Sequence, residues 1–263
     1  MFRSLTPVVK NLLLITIGMH VIASYFMPQL TSIFALYYIE SRFFLPFQFL
    51  TYMFMHADFW HLFSNMLGLF IFGPLLEQFL GPKKMLILWM VCGVGSGILY
   101  SGYTVYQMKS LENQIEQFAA DPDPEVFNRF VSDYRYLFGA GIYDLIDDYS
   151  RNPDNPELVS RALRNMQGVW DLKANIPMVG ASGALFGVLI AFGMLFPNTQ
   201  LFLLFPPMPI RAKYLVLFYG LYTVYNIFVN NPMDNVAHFA HLGGLVIGAV
   251  LVLYWRKDRN NFY

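Results

Sequence analysis

Apolar residues in this chain gather in long, nearly charge-free blocks instead of recurring at the spacing of a half-buried helix or strand. Six blocks stand out, at about 11–27, 58–80, 84–104, 178–196, 211–229 and 234–255. Each approaches the roughly 20 residues that carry a helix across a bilayer core. A helix that is apolar all round has no face for water, so the blocks predict six crossings of an all-α membrane bundle. An even number of crossings returns both termini to one side. The first block lacks a small-residue cleavage site and is followed by bulky Tyr25-Phe26-Met27-Pro28, so it reads as a retained helix and not a signal peptide.

One stretch breaks this pattern. Residues 106–176 are polar and carry 12 acidic against 7 basic side chains. Within them Val126, Phe127, Phe130, Val131, Tyr134, Leu137 and Phe138 recur at helical spacing. Pro124-Glu125 suits the start of that helix and Gly139 its stop, and Pro156-Glu157 opens a second pattern with Leu158, Val159, Ala162, Leu163 and Met166. The chain therefore divides into 1–105 with crossings one to three, 106–176 as a helical insertion outside the membrane between helices 3 and 4, and 177–263 with crossings four to six.

Composition agrees. Apolar residues make up 56% of the 263 positions and charged residues 13%, about half the usual share of a soluble domain. Net charge is zero, and no nucleic-acid partner is expected. The placement of charge is more telling. Arg3, Lys10, Lys83, Lys84, Arg211, Lys213, Arg256, Lys257 and Arg259 flank one side of the six crossings, while the opposite short loops hold only Arg42. That asymmetry predicts cytoplasmic termini in a plasma (inner) membrane and an insertion on the far side. Cys92 is the only cysteine, so no intrachain disulfide forms, and its place within the third block suits inert packing.

Polar groups inside membrane helices are costly and face the bundle interior, so they locate a site. His61 and Asn65 stand one turn apart on one face of span two, with His56 in the loop before it. Ser182 opens span four within Gly180-Ala181-Ser182-Gly183. His238 and His241 begin span six. All six lie near the non-cytoplasmic ends of their spans. Small residues recur four apart at Gly93 and Gly97, at Gly183 and Gly187, and at Gly244 and Gly248, a spacing that lets helix backbones touch. Gly244 and Gly248 share the face of His241, which would then point at span four.

A serine beside a histidine allows nucleophilic acyl transfer, with the serine attacking and the histidine taking its proton. The Ser182 N–H, His61 and Asn65 could hold the resulting oxyanion. A serine in a membrane helix also has a plainer use, bonding a carbonyl one turn back. Metal binding by His56, His61 and His238 or His241 is the rival chemistry, but a hydrolytic zinc site usually includes an acid and no H-E-x-x-H occurs. Glu77 lies toward the cytoplasmic end, with Asp58 and Asp234 at the surface, so no carboxylate pair serves an aspartyl mechanism. No metal or other cofactor is expected.

Taken together, His56 followed by His61 and Asn65, Glu77 and Gly81 closing span two, Gly180-Ala181-Ser182-Gly183, and His241-Leu242-Gly243-Gly244 with Gly248 resemble the rhomboid family of intramembrane serine proteases. The likeness covers the six-span core and leaves out 106–176. It implies a rhomboid-like bundle with a Ser182–His241 dyad, an oxyanion hole of His61, Asn65 and the Ser182 N–H, and Phe186 packed on the catalytic imidazole. His56, Gly180, Gly183, His238, Gly244 and Gly248 would support them. It further implies transmembrane protein substrates cut near a small residue, a capping loop at 229–236, and span five as the gate. Phe47-Gln48 stands where many members carry Trp-Arg, which leaves the anchoring of the first outer loop open. A non-proteolytic relative that binds transmembrane clients is the alternative; such relatives usually lack the serine or the histidine. A small transporter would show internal repeats or charges at mid-membrane, and neither is evident.

Overall fold

The computed structural model describes residues 5–202, 208–229 and 236–257. Helix α1 (Pro7–Val21) is prolonged by a π-helical turn to Phe26. The first outer loop carries α2 (Gln29–Phe34) and α3 (Gln48–Thr51), then a 3-10 turn at Tyr52–Phe54. Helix α4 (Phe59–Leu80) meets α5 (Pro82–Ala120) at Gly81, whose φ is +80°. The insertion adds α6 (Pro124–Asp133), α7 (Gly141–Arg151) and α8 (Pro156–Ala174). Helix α9 (Ser182–Leu195) follows, then a short antiparallel hairpin of β1 (Gln200–Phe202) and β2 (Pro209–Arg211). Helices α10 (Ala212–Val229) and α11 (His238–Lys257) complete the described chain.

Among the described residues, five helical stretches are long and apolar enough to cross a membrane: Pro7–Phe26, Phe59–Leu80, Pro82–Ala120, Ala212–Val229 and His238–Lys257. The fourth expected crossing is shorter. It was expected from 178, yet α9 begins at Ser182 and has 14 residues, about 21 Å at 1.5 Å each. Met178 is held in an extended bridge to Leu36 and Gly180 adopts φ +121°, so neither can join the helix. The short helix is tolerated because it sits amid α4, α5, α10 and α11, and its ends meet protein instead of lipid.

The third crossing departs the other way. Expected over 84–104, α5 continues to Ala120 for 39 residues, about 58 Å, nearly twice the hydrocarbon thickness. No glycine or proline lies between 103 and 120 to stop it. Its C-terminal half forms one wall of a separate core, where Met108, Leu111 and Phe118 pack with Phe127, Phe130, Leu145, Tyr149, Ala162 and Met166. Helix α6 ends at Asp133, before Gly139, and the turn Arg135–Leu137 fills the interval. Helix α7 lies outside the two patterns read from the sequence. Asp123 and Asn155 cap α6 and α8 by accepting from the Glu125 and Glu157 N–H groups, at 2.8 and 2.9 Å.

Glu77 has a structural task that its position concealed. It is 3% exposed and accepts from the Val8 and Val9 N–H groups at 2.9 Å each and from the Thr6 hydroxyl. A carboxylate here satisfies the open N–H groups of α1 and matches the positive end of its dipole. Helices α1 and α4 are thereby tied at one end of the bundle.

Candidate active site

The site is built where the insertion returns to the bundle. After α8 the chain runs extended, and Met178 exchanges both backbone hydrogen bonds with Leu36, at 2.9 and 2.8 Å. The Gly180 N–H donates to the Tyr52 carbonyl at 3.0 Å. At φ +121° Gly180 holds a conformation that side chains rarely adopt, and a Cβ there would lie 2.7 Å from the His61 ring. Glycine thus lets His61 close onto the loop two residues before Ser182. Ala181 is the N-cap of α9 and gives no side-chain cap, so the first-turn N–H groups beside Ser182 have no side-chain acceptor from it.

His241 comes from the first turn of α11. Its Nε2 lies 2.8 Å from Ser182 Oγ. For Nε2 to accept the serine proton, the ring proton must reside on Nδ1. Phe186, one turn beyond Ser182, stacks on the imidazole at 4.2 Å between centroids and 10° between planes. His238 stands edge-on to His241 at 5.9 Å and to Tyr222 of α10 at 6.2 Å. The two helices come this close because their facing residues are glycines. A methyl group on Gly248 would fall 2.8 Å from the Gly187 Cα, and one on Gly244 would run into the Gly183 carbonyl.

His61 and Asn65 line the opposite side. Asn65 is 3% exposed, and its Nδ2 donates to the His61 carbonyl at 2.8 Å, which leaves a second N–H on that nitrogen. Asp58 caps α4 by accepting from the His61 N–H at 2.9 Å, and this hydrogen bond holds the Asp58 carboxyl below its usual pKa. His56 lies between His61 and His20 of α1, with ring centroids at 5.0 and 6.5 Å. It is buried, and neither ring nitrogen has a hydrogen-bond partner among the described residues. Burial, and then its histidine neighbours His61 and His20, push the His56 pKa down to about 3, so the ring is neutral.

The structure therefore brings Ser182, His241 and Phe186 into direct contact, sets His61 against Gly180, and places Asn65 one turn behind His61. His238 and His56 border this group without bonding to Ser182. Histidines from α4 and α11 do not combine into a metal site: among the described residues no three His, Cys, Asp or Glu side chains gather closely enough. Residues 230–235, most of the expected capping loop, lie outside the described residues. Two contributors had no role assigned from the sequence, Tyr52 unremarked and Gln48 noted only as a departure. Tyr52 holds the Gly180 N–H through its carbonyl and reaches the Gly93 carbonyl through its hydroxyl at 2.7 Å. Gln48 is fully buried; its Nε2 donates to the Ile33 and Phe43 carbonyls at 3.0 and 2.9 Å, and its Oε1 accepts from the Leu45 N–H at 3.1 Å. Gln48 thus anchors the first outer loop where Trp-Arg is absent. A buried amide amid an aromatic run was the available signal.

Fold and site together define a helical membrane protein with a serine and a histidine paired where α9 and α11 begin. A family model described as the Rhomboid domain matches residues 45–111 and 158–258, well over half of the chain, and passes over 112–157. The chain belongs to the rhomboid family. It is also similar to RHOMBOID-like protein 12, mitochondrial, of Arabidopsis thaliana, with 24% identity over 213 residues. That alignment takes in 81% of this chain and 47% of the relative, so the chain spans about half the length of the curated relative it matches.

Proposed function

We propose that this protein is an intramembrane serine endopeptidase that cuts transmembrane segments of other membrane proteins. The observation that carries this reading is the 2.8 Å approach of His241 Nε2 to Ser182 Oγ at the N-terminus of α9. Ser182 attacks the scissile carbonyl carbon while His241 takes its proton. The oxyanion is met by the Ser182 N–H, the His61 ring and the free N–H of Asn65. Collapse expels the amine, which takes the proton from His241. Water then hydrolyses the acyl-enzyme by the same steps. Stacking on Phe186 fixes the imidazole plane, a duty that a carboxylate often performs in soluble hydrolases. Substrate helices approach beside α10, the least buried of the crossing helices, and a small residue precedes the cut.

Co-expression with a generic transmembrane substrate tests the reading. The intact chain should cut it, while Ser182→Ala and His241→Ala should each lose at least about 10⁴-fold in turnover, because nucleophile and base act as one unit. Substrate that co-purifies uncut with the intact chain would instead mark a client-binding relative. Asn65→Ala should lower turnover by no more than about 10³-fold and binding much less, since two donors remain. The same reading puts both terminal sides in the cytoplasm of a plasma (inner) membrane. A cysteine at Ser150 in a Cys92→Ala background should then react with an impermeant maleimide on intact cells, and one at Lys83 should not.

A further inference from the structure

The C-cap of α8, Asn175, and the nucleophile are seven residues apart along the chain, and that short path is latched to the first outer loop at two points. At one end Leu36 and Met178 exchange backbone hydrogen bonds at 2.9 and 2.8 Å. At the other the Ser41 hydroxyl donates to Asn175 Oδ1 at 2.8 Å. Asn175 is the C-cap of α8, and its own Nδ2 donates to the Asp171 carbonyl at 2.7 Å, which fixes the amide to the end of that helix. Ser41 is 8% exposed and also accepts from the Phe43 N–H at 3.1 Å. Between the latches Tyr38, 4% exposed, stands edge-on to Trp170 of α8 at 6.3 Å and belongs to the core of the insertion instead of that of the bundle. Also between them, Glu40 pairs with Lys109 of α5 at 3.8 Å. Two residues past Met178 comes Gly180, seated against Tyr52 and His61, and two more reach Ser182.

We propose that Asn175, at the end of the insertion, is a positioning residue for the Ser182 loop, acting through Ser41. The proposal rests on Ser182 being the nucleophile. No helix intervenes between Asn175 and Ser182, so the loop takes its register from the place where α8 ends. The Ser41–Asn175 bond sets that place relative to the first outer loop, and Gly180 passes it to the oxyanion side. Atoms near a reacting centre must be held to within a fraction of an ångström, and a displacement of about 1 Å costs on the order of 10²-fold in rate. A latch this close to the nucleophile therefore registers in the chemical step and not in capture of a ligand.

The test uses the full chain in detergent micelles with a small fluorophosphonate probe, and labelling is resolved into kinact and KI. Ser41→Ala and Asn175→Ala should each lower kinact about tenfold with KI little changed, because the loop shifts by less than the full ångström. The double variant should fall no further than either single, since both remove one coupling. Ser41→Thr, which keeps the hydroxyl, should recover most of the rate. Unfolding midpoints are followed in parallel: a merely structural bond lowers the midpoint and leaves kinact alone at low temperature. Unchanged kinact in both single variants overturns the proposal, as does a double variant whose loss is the product of the singles. Labelling absent from the intact chain, or surviving in Ser182→Ala, overturns the nucleophile assignment itself and the proposal with it.

Discussion

The bundle and the insertion solve the same packing problem in different solvents. Around α9 the bundle packs backbone on backbone, with Gly183 and Gly187 facing Gly244 and Gly248. The insertion packs side chain on side chain. Phe118, Phe127 and Tyr149 form a triangle with centroids 6.2 to 6.3 Å apart, all three essentially without exposure. Lipid offers no hydrophobic reward for bringing apolar helices together, so close van der Waals contact and few protruding side chains take its place. Water does reward burial, so the insertion turns apolar faces inward, charges outward, and caps its helices with Asp123 and Asn155. The close contacts of the bundle bring Ser182 Oγ and His241 Nε2 to 2.8 Å of each other.

The difference yields opposite responses to similar changes. Phe127→Ala should have the largest effect, about 3–5 kcal/mol, because it empties the aromatic triangle. The loss should be confined to the insertion: limited proteolysis should open 106–176 while the bundle stays resistant. Simultaneous unfolding of both regions would show one cooperative unit. Gly→Ala substitutions should then change sign between the two regions. Gly244→Ala drives a methyl group into the Gly183 carbonyl and should destabilise the fold by about 1–3 kcal/mol. Gly168→Ala, in α8 with nothing within 4 Å of the added carbon, should stabilise by up to about 1 kcal/mol. Melting in detergent reads both, and equal signs would erase the distinction. The last effect vanishes near neutral pH and grows only on acidification. His56 is held near pKa 3 in the fold against an ordinary 6.5, so the unfolded chain takes up a proton that the folded chain refuses. Stability from this site is full above about pH 6.5 and declines by about 1.4 kcal/mol per pH unit as pH falls toward 3. His56→Gln should flatten melting between pH 7 and pH 5.5, and an unaltered slope would place the titration elsewhere.

What the sequence disclosed follows from the same contrast. Membrane crossings show as block hydrophobicity, so five long helices stood near their expected places. The glycine spacing anticipated the contact of α9 with α11, because a backbone contact leaves its mark as missing side chains. Pro156-Glu157 marked the start of α8 through its cap chemistry. The start of α9 was displaced because Met178 and Gly180 are apolar or neutral, and only the bridge to Leu36 shows that they are extended. The length of α5 was hidden since helix formers continue smoothly from lipid into water. Gln48 and Glu77 were obscure for a shared reason: most of their partners are backbone groups, close in the chain for Gln48 and distant for Glu77, and backbone groups carry no sequence signal.

The shortness of α9 has a last consequence. Its inner end is marked by Arg256, whose Nη2 donates to the Met194 carbonyl at 2.6 Å. A basic side chain at that level belongs with the lipid headgroups. Counting about 21 Å back along the helix leaves Ser182 roughly 10 Å beneath the opposite face of a 30 Å core. If this chain is a protease, a substrate helix cut at that depth would be divided some six or seven residues from its end. A helix of about 20 residues then becomes pieces of about 6 and 14, and neither matches the thickness of the bilayer. Under the hydrolytic reading, scission itself removes what held the substrate in the membrane, and both halves leave by becoming too short to stay.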